Sequence, residues 1–375
     1  MAQLGRALEW GSRGREFESR RPEFSTSLIK KLLIVRQDNI GDLVCTTPLI
    51  AGIRAKFPDL PISVLCTSYN CAVLERNPDV SAVFVYSKRS HHGSVLSLIR
   101  GSVQKVLLIW RLRRKRFDVV IAASTPCGAR VTKLVRMINP ARFLRSSEDG
   151  GGGDDLPPGE MLGRHEVERV WGLGKAIGLS GEPPAVRVYP DSARSAGLRT
   201  KFLSEGKATR LVAVHISSRK PSQQWPTLHF AKLLRELHRA EPSLGFLILW
   251  APGSADQRGH SGDDEKARDL ANELGGTVPV VFCPTPDLEG TIEALAACDF
   301  FIGSDGGAMH LAAACGLPVV ALFGASDVQR WYPWTACREV LQAESREVRD
   351  IAPEKVAAAF ARLAANQGAK NAGSK

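Results

Sequence analysis

No stretch of this 375-residue chain comes near the ~20 apolar residues that a membrane-spanning helix needs; the longest runs, such as Val106 to Trp110 and Pro318 to Phe323, are far shorter. The N-terminus (MAQLGRALEWGSRGREFESRRPEF) is charged throughout and lacks the apolar segment of a secretory signal, which points to a cytoplasmic protein. The eight cysteines include no CxxC pair. Cys66, Cys283, Cys298 and Cys315 sit within apolar runs, so they read as reduced core residues rather than a zinc site or a disulfide framework. Aromatics make up only 7% of the chain and no nucleic-acid-binding module is recognised, which argues against nucleic acid as the partner. Neither GxGxxG nor a P-loop occurs. No DxD motif lies at a strand end, since Asp154-Asp155 and Asp263-Asp264 are adjacent pairs in loops, so a metal site is not indicated.

What is present is enough apolar sequence, 44%, to bury two cores, over a length that suits two domains better than one or three. The net charge of +11 calls for an anionic partner: nucleic acid, a phosphorylated metabolite or an acidic membrane surface. Residues 1–30 show neither helical nor strand period and read as an extension outside the fold. Glu16-Phe17-Glu18-Ser19 can be encoded by a tRNA T-arm sequence, so an upstream start site is expected. Residues 1–31 hold seven basic and four acidic side chains, and without them the chain still carries +8. Arg100 to Arg116 concentrates seven cations and no acid among Val106, Leu107, Leu108, Ile109, Trp110 and Leu112. That pattern suits either a solvated helix face or a helix lying against anionic lipid.

From Lys31 onward, short apolar runs alternate with helix-length amphipathic stretches. LLIVR (32–36), ISVLC (62–66), AVFVY (82–86) and DVVIAA (118–123) read as strands covered on both faces, with helices at 48–57 and up to Arg116. Ser146 to Gly163, rich in glycine, proline and acid, reads as a linker, followed by helical sequence at 164–179. A second series follows: strands LVAVHIS (211–217), FLILW (246–250), VPVVFC (278–283), FFIGS (300–304) and PVVALFG (318–324), with helices near 227–240, 263–274, 287–298 and 307–315. Two βα series predict an α/β protein of two doubly wound, Rossmann-like parallel sheets facing across a cleft. The domains are expected at 31–180 and 181–350, with a C-terminal helix and a loose polar tail over 351–375.

Ligands of open α/β sheets bind beyond the carboxyl ends of the strands, and three such places carry chemistry. In Arg36-Gln37-Asp38-Asn39-Ile40-Gly41-Asp42, Gly41 permits a tight turn and Asp42 suits either a helix cap or a catalytic carboxylate. In His215 to Pro226, Ser217, Ser218, Arg219 and Lys220 form either a phosphate clamp or a solvated basic loop. In the segment Gly303-Ser304-Asp305-Gly306-Gly307-Ala308-Met309-His310, a strand ends on Asp305 and a helix N-terminus follows the two glycines, a place suited to an anion. His310 is either a donor on that first turn or a buried histidine satisfied by backbone.

LLIVRQDNIGDLVCTTPLIAGIRAKFPDLPI, NPDVSAVFVY, QQWPTLHFAKLLREL and DFFIGSDGGAMHLAAACGLPVVALFGASD together resemble the bacterial heptosyltransferase family, ADP-heptose:lipopolysaccharide glycosyltransferases of inverting GT-B architecture. The resemblance spans roughly residues 30 to 345. It implies that Asp42 is the general base, with Arg36 and Gly41 at the acceptor side or the turn. It implies that Asp305, Gly306, Gly307, Met309 and His310 hold the nucleotide-sugar, with Ser217, Ser218, Arg219 and Lys220 near its phosphates and Asp256 on the ribose. It further implies an N-terminal acceptor-binding domain, a C-terminal donor-binding domain, a phosphorylated glycolipid acceptor and a place at the cytoplasmic face of the inner membrane. No cofactor is implied. One departure stands out: the family commonly has a lysine two residues before Trp-Pro, where this chain has Gln223, and Lys220 or Arg219 is left to meet the diphosphate. That departure keeps open another nucleotide-sugar or a catalytically silent GT-B scaffold.

Overall fold

The computed structural model describes residues 29–86, 95–147, 155–156, 163–206, 208–254 and 262–372, and side chains from residue 102 onward in the helix that starts at Val95. Residues 1–28, most of the glycine-rich 148–162 stretch and Asp256 lie outside these.

Two six-stranded sheets, every pairing of which is parallel, make up the framework. The first contains β1 (Leu32–Val35), β2 (Ile62–Thr67), β3 (Ala82–Tyr86), β4 (Val119–Ala122), β5 (Arg142–Ser146) and β6 (Asp155–Leu156), in the order β3-β2-β1-β4-β5-β6. The second contains β7 (Arg210–His215), β8 (Leu244–Trp250), β9 (Val280–Pro284), β10 (Phe300–Ser304), β11 (Val319–Phe323) and β12 (Arg338–Gln342), in the order β12-β11-β10-β7-β8-β9. Numbered from its own first strand, each sheet follows the 3-2-1-4-5-6 order of a dinucleotide fold. The central strands are buried on both faces: β1, β4, β8, β10 and β11 are buried at every residue, which is why their sequences are near-continuous Val, Ile, Leu and Phe.

Helices α1 (Ile40–Val44), α2 (Thr47–Lys56), α3 (Val95–Arg114), α4 (Ala129–Ile138) and α5 (Glu166–Leu173) accompany the first sheet. Helices α6 (Ser192–Gly206), α7 (Thr227–Ala240), α8 (Asp264–Leu274), α9 (Leu288–Ala296), α10 (Gly307–Ala314), α11 (Val328–Trp331) and α12 (Pro353–Ala372) accompany the second. Outer cores form where α3 and α4 cover Leu33, Val35, Val120 and Ala122, and where α7, α8 and α12 cover Val212, Val214, Phe246 and Ile248. The inner core is shared. Ile34, Leu49 and Ile121 of the first unit belong to the same continuous apolar cluster as Ala213, Phe301, Met309 and Leu311 of the second.

Four expectations need correction. AVFVY is not covered on both faces: β3 is the edge strand of its sheet, and Val83 and Val85 are exposed. The 146–163 linker contains β6, whose two residues extend the sheet beyond β5. The tail from Asn366 is not loose up to Ala372, since α12 carries on to that residue, favoured by its alanines. The helix expected at 48–57 is preceded by a further short helix, α1, that contains Asp42, and Pro48 stands at the second position of α2, where no amide donor is needed.

Candidate active site

The two units meet where α1 crosses α10. The crossing works because each helix gives up a side chain to the other. A Cβ on Gly41 would lie 2.5 Å from Cδ2 of His310, and a Cβ on Gly307 would lie 3.1 Å from Cβ of Ile40. Gly307 therefore has a packing reason to be glycine, and the sequence pattern Gly-Gly does not by itself mark a ligand cradle. A Cβ on Gly306 would meet nothing closer than 4.0 Å, so the first glycine of the pair faces open space.

Asp42 is the third residue of α1, not its cap; Asn39 holds the cap position. One carboxylate oxygen, Oδ2, accepts the Asn39 N–H at 3.1 Å, and the other, Oδ1, accepts a short hydrogen bond from Arg36 Nη2. Burial pushes the Asp42 carboxyl up. The Arg36 guanidinium and the Asn39 amide outweigh that and hold it below the ordinary carboxylate value, so Asp42 is ionised at neutral pH.

Arg36, at the carboxyl end of β1, is 1% exposed and is surrounded by acceptors. It donates to the Ala123 carbonyl, to Asp42, and to Glu166 Oε1 at 2.9 Å, and its Nε lies 3.1 Å from Asp38 Oδ2. Glu166, at the first turn of α5, is fully buried. Its Oε1 also accepts from Thr125 Oγ1 at 2.9 Å, while Oε2 accepts from Arg330 Nε at 2.9 Å and lies 2.8 Å from Arg330 Nη2. Arg330 belongs to α11 of the second unit and also donates to the Thr125 carbonyl at 2.7 Å. His165, the cap of α5, adds a second tie. Its Nδ1 accepts the Val167 N–H at 3.1 Å, which leaves the proton on Nε2 for the Tyr332 carbonyl at 2.8 Å. Burial lowers the His165 pKa to about 3, so this histidine is neutral.

At the end of β10, Asp305 accepts from Gln223 Nε2 at 2.5 Å, and the same amide donates to Ser326 Oγ at 3.0 Å. Gln223 is buried and committed to holding Asp305. Its neutral amide forms these bonds without introducing a charge, and the neighbouring cations are elsewhere. Lys220 is exposed at the start of a 3₁₀ turn, and Arg219 reaches to 5.8 Å from the Tyr69 ring of the first unit. Ser217 Oγ accepts the Ala251 N–H at 3.0 Å, which ties the end of β7 to the end of β8. Ser218 lies 3.5 Å from Gln223 Oε1. Met309 is fully buried in the shared core, and His310 is buried against α1, with Cys45 Sγ 3.9 Å from its Nδ1. Burial holds the His310 imidazole neutral although Asp305, Asp42 and Glu166 draw the other way.

The sequence-marked residues Arg36, Gly41, Asp42, Gly307 and His310 thus gather at one junction, and Asp305 lies next to it on the same loop as Gly306. Ser217, Ser218, Arg219 and Lys220 follow β7 in the second unit, with Ser218 near Gln223 and Arg219 near Tyr69 of the first unit. Glu166, Arg330 and His165 were not singled out from sequence, because an acid in the first turn of a helix ordinarily complements the helix dipole.

Solved structures share this two-sheet fold. A glycosyltransferase family 9 protein from Veillonella parvula superimposes with a TM-score of 0.72 at 18% identity, covering 89% of this chain and 97% of its own. An Escherichia coli heptosyltransferase solved with ADP gives 0.68 at 18% identity, covering 89% and 99%. Two Rossmann-like parallel-sheet units packed against each other make this a GT-B glycosyltransferase fold. The chain belongs to glycosyltransferase family 9 (heptosyltransferase), whose sequence pattern matches residues 160–357, and it is an enzyme of glycosyl transfer. Its relatives include lipopolysaccharide heptosyltransferase 3 of Escherichia coli, 26% identical over 313 residues (79% of this chain and 83% of the relative). Lipopolysaccharide heptosyltransferase 2 of Salmonella typhimurium is 23% identical over 316 residues, with 79% and 83% covered.

Proposed function

We propose that this enzyme is an inverting, metal-independent transferase that moves a heptose from ADP-heptose to a lipopolysaccharide core acceptor, with Asp42 as general base. The observation that carries the reading is the position of Asp42: an ionised carboxylate on the first turn after β1, on the helix whose crossing with α10 joins the two units. The names of the relatives and the ADP in the Escherichia coli structure support the choice of donor and acceptor. An acceptor hydroxyl oxygen forms a bond to the anomeric carbon as the bond from that carbon to the β-phosphate oxygen breaks. The electron pair leaves with ADP, and the hydroxyl proton passes to Asp42. The configuration inverts because attack and departure are on opposite faces of the sugar. The leaving diphosphate is met by the N-terminal end of α10 and by Arg219 and Lys220.

Gln223 favours a second reading, in which the donor carries a different nucleotide. A panel of nucleoside diphosphates decides between them. A ligand at 100 times its dissociation constant adds ~2.7 kcal/mol to stability. Selective stabilisation by ADP is expected; preference for UDP or GDP redirects the donor, and no response to any nucleotide identifies a silent scaffold.

The acceptor side of the proposal rests on α3 and β3. Among the described residues, six of the seven exposed large hydrophobics lie there: Val83, Val85, Val103, Val106, Leu107 and Trp110. Lys105, Arg111, Arg113, Arg114, Lys115 and Arg116 are exposed beside them. Val85, Leu107 and Leu108 line a groove of about 330 Å³ whose rim carries Lys105 and Arg111. Among the described residues no helix is long and apolar enough to cross a membrane. An apolar strip ringed with cations suits peripheral contact with an anionic bilayer that holds the acceptor.

A further inference from the structure

Among the described residues, the charged and titratable groups around Asp42 come from several elements, with Asp305 at the end of β10 acting on His310 from the second unit. Arg36 and Asp38 come from the end of β1, Cys45 from its own helix, Glu166 from α5, His310 from α10 and Arg330 from α11. Burial keeps the Cys45 thiol and the His310 imidazole uncharged. The electrostatics around Asp42 therefore reduce to two arginines and three further carboxylates, of which Asp38 and Glu166 pair with Arg36 directly. Arg36 Nη2 is shared, since it donates to Asp42 Oδ1 and to Glu166 Oε1. Glu166 is in turn shared between Arg36 of its own unit and Arg330 of the other.

We propose that Glu166 is a positioning residue for Asp42. It divides Arg36 between two carboxylates, and because Arg330 supplies its other partner, the division depends on the second unit being docked. This deepens the assignment of Asp42 as the base and rests on it. A carboxylate fully paired with a buried guanidinium is a poor proton acceptor; one that shares the guanidinium is a better one. Glu166 thus couples the approach of the donor-side unit to the basicity of the group that takes the acceptor proton. Thr125 completes the arrangement, holding Glu166 through its hydroxyl and Arg330 through its carbonyl.

The coupling predicts changes of opposite sign on the two sides of Glu166. In Glu166→Gln, the Nη2 of Arg36 is no longer shared with a second carboxylate and turns to Asp42, so the acid limb of the kcat–pH profile moves down by about one unit and kcat at neutral pH falls by up to about tenfold. In Arg330→Gln, Glu166 takes a larger share of Arg36, and the acid limb moves up. Arg330 is partly exposed and its loss leaves Glu166 paired with Arg36 and Thr125, so this variant reads the same contact should Glu166→Gln fail to fold. Glu166→Asp, which keeps the charge, should bring the limb back towards wild type.

The experiment is the kcat–pH profile of wild type and the three variants with ADP-heptose and a lipopolysaccharide core acceptor, with ADP affinity measured by calorimetry on the same preparations. Opposite shifts with ADP affinity unchanged within about twofold support the proposal. Shifts in the same direction, or a lower melting temperature with no shift in the profile, overturn it and leave a structural ion pair. No turnover by wild type overturns the proposed function itself, and this inference with it.

Discussion

Arginine is used in opposite ways in two regions of the first unit. On α3, Arg111, Arg113 and Arg114 stand in solvent beside exposed Val106 and Trp110. At the end of β1, Arg36 is buried among Asp38, Asp42 and Glu166. The exposed arginines act through a field that salt screens beyond ~10 Å, so their number matters more than their geometry. Arg36 is shielded from salt, and its effect depends on which carboxylate each N–H meets. One charge type therefore makes a salt-screened field at the surface and sets the state of a single carboxylate inside.

Four perturbations sharpen the contrast, beginning with the two that act at the buried junction and core. Gly41→Val drives a side chain into the His310 ring, and overpacking at such a crossing costs about 1–3 kcal/mol. Thermal unfolding reads the loss, and turnover should fall with it because α1 carries Asp42. The exposed region has no counterpart: Val106→Ser on α3 should leave the melting temperature unchanged.

Acidification is the second perturbation. Burial lowers His165 to about 3 and His215 to about 4. In the unfolded chain these imidazoles protonate near pH 6.5, before the folded ones do. The unfolded state therefore gains protons first, and stability present above pH 6.5 is lost as pH falls towards 4, by up to ~1.4 kcal/mol per pH unit for each histidine. Asp42, held low by Arg36, adds loss of the same sign once its unfolded value near 4 is passed. Denaturant titrations between pH 7 and 4 check the slope. A stability independent of pH over that range contradicts two histidines held neutral.

The third concerns the surface. Each of Arg111, Arg113 and Arg114 changed to Gln should weaken binding to anionic vesicles by about 1 kcal/mol at low salt. Sedimentation with phosphatidylserine vesicles measures it, and at 1 M salt the difference should vanish, whereas the effects at the junction should persist. The smallest effect is expected at Leu228, an exposed large hydrophobic on α7 away from both regions, where Leu228→Ser should stay within ~0.5 kcal/mol in thermal unfolding.

The two regions also differ in how far their sequences speak for themselves. Strand and helix positions with continuous apolar runs or a strong helical period were readable: α7 at Thr227–Ala240 coincides with the expected helix, and β10 and its following helix sit where Phe300 to Ala314 place them. The basic α3 was readable from composition alone. Strands β5 (RFLRS) and β12 (REVLQ) were not, because arginine and glutamate interrupt their apolar residues and pairing with an inner neighbour decides them. Helix α6, with serine, glycine and threonine throughout, is carried by packing against β8, β9 and α9 and gives little local signal. At the site, Asp42 and Asp305 stood out because each follows a strand. Glu166 and Arg330 did not, because they are 164 residues apart and neither flanking sequence marks a partner. Met309, grouped from sequence with the donor-binding residues, proved to be fully buried in the apolar core, since helix α10 turns that face inward.

The central claim is that Asp42 takes the acceptor proton in a heptosyl transfer from ADP-heptose, and Asp42→Asn tests it most directly. The asparagine keeps the shape and the acceptor for Arg36 but cannot take a proton. Turnover should fall about 10²–10⁴-fold while ADP affinity, measured by calorimetry on the same protein, stays as in wild type. An Asp42→Asn enzyme that turns over ADP-heptose at the wild-type rate contradicts the account.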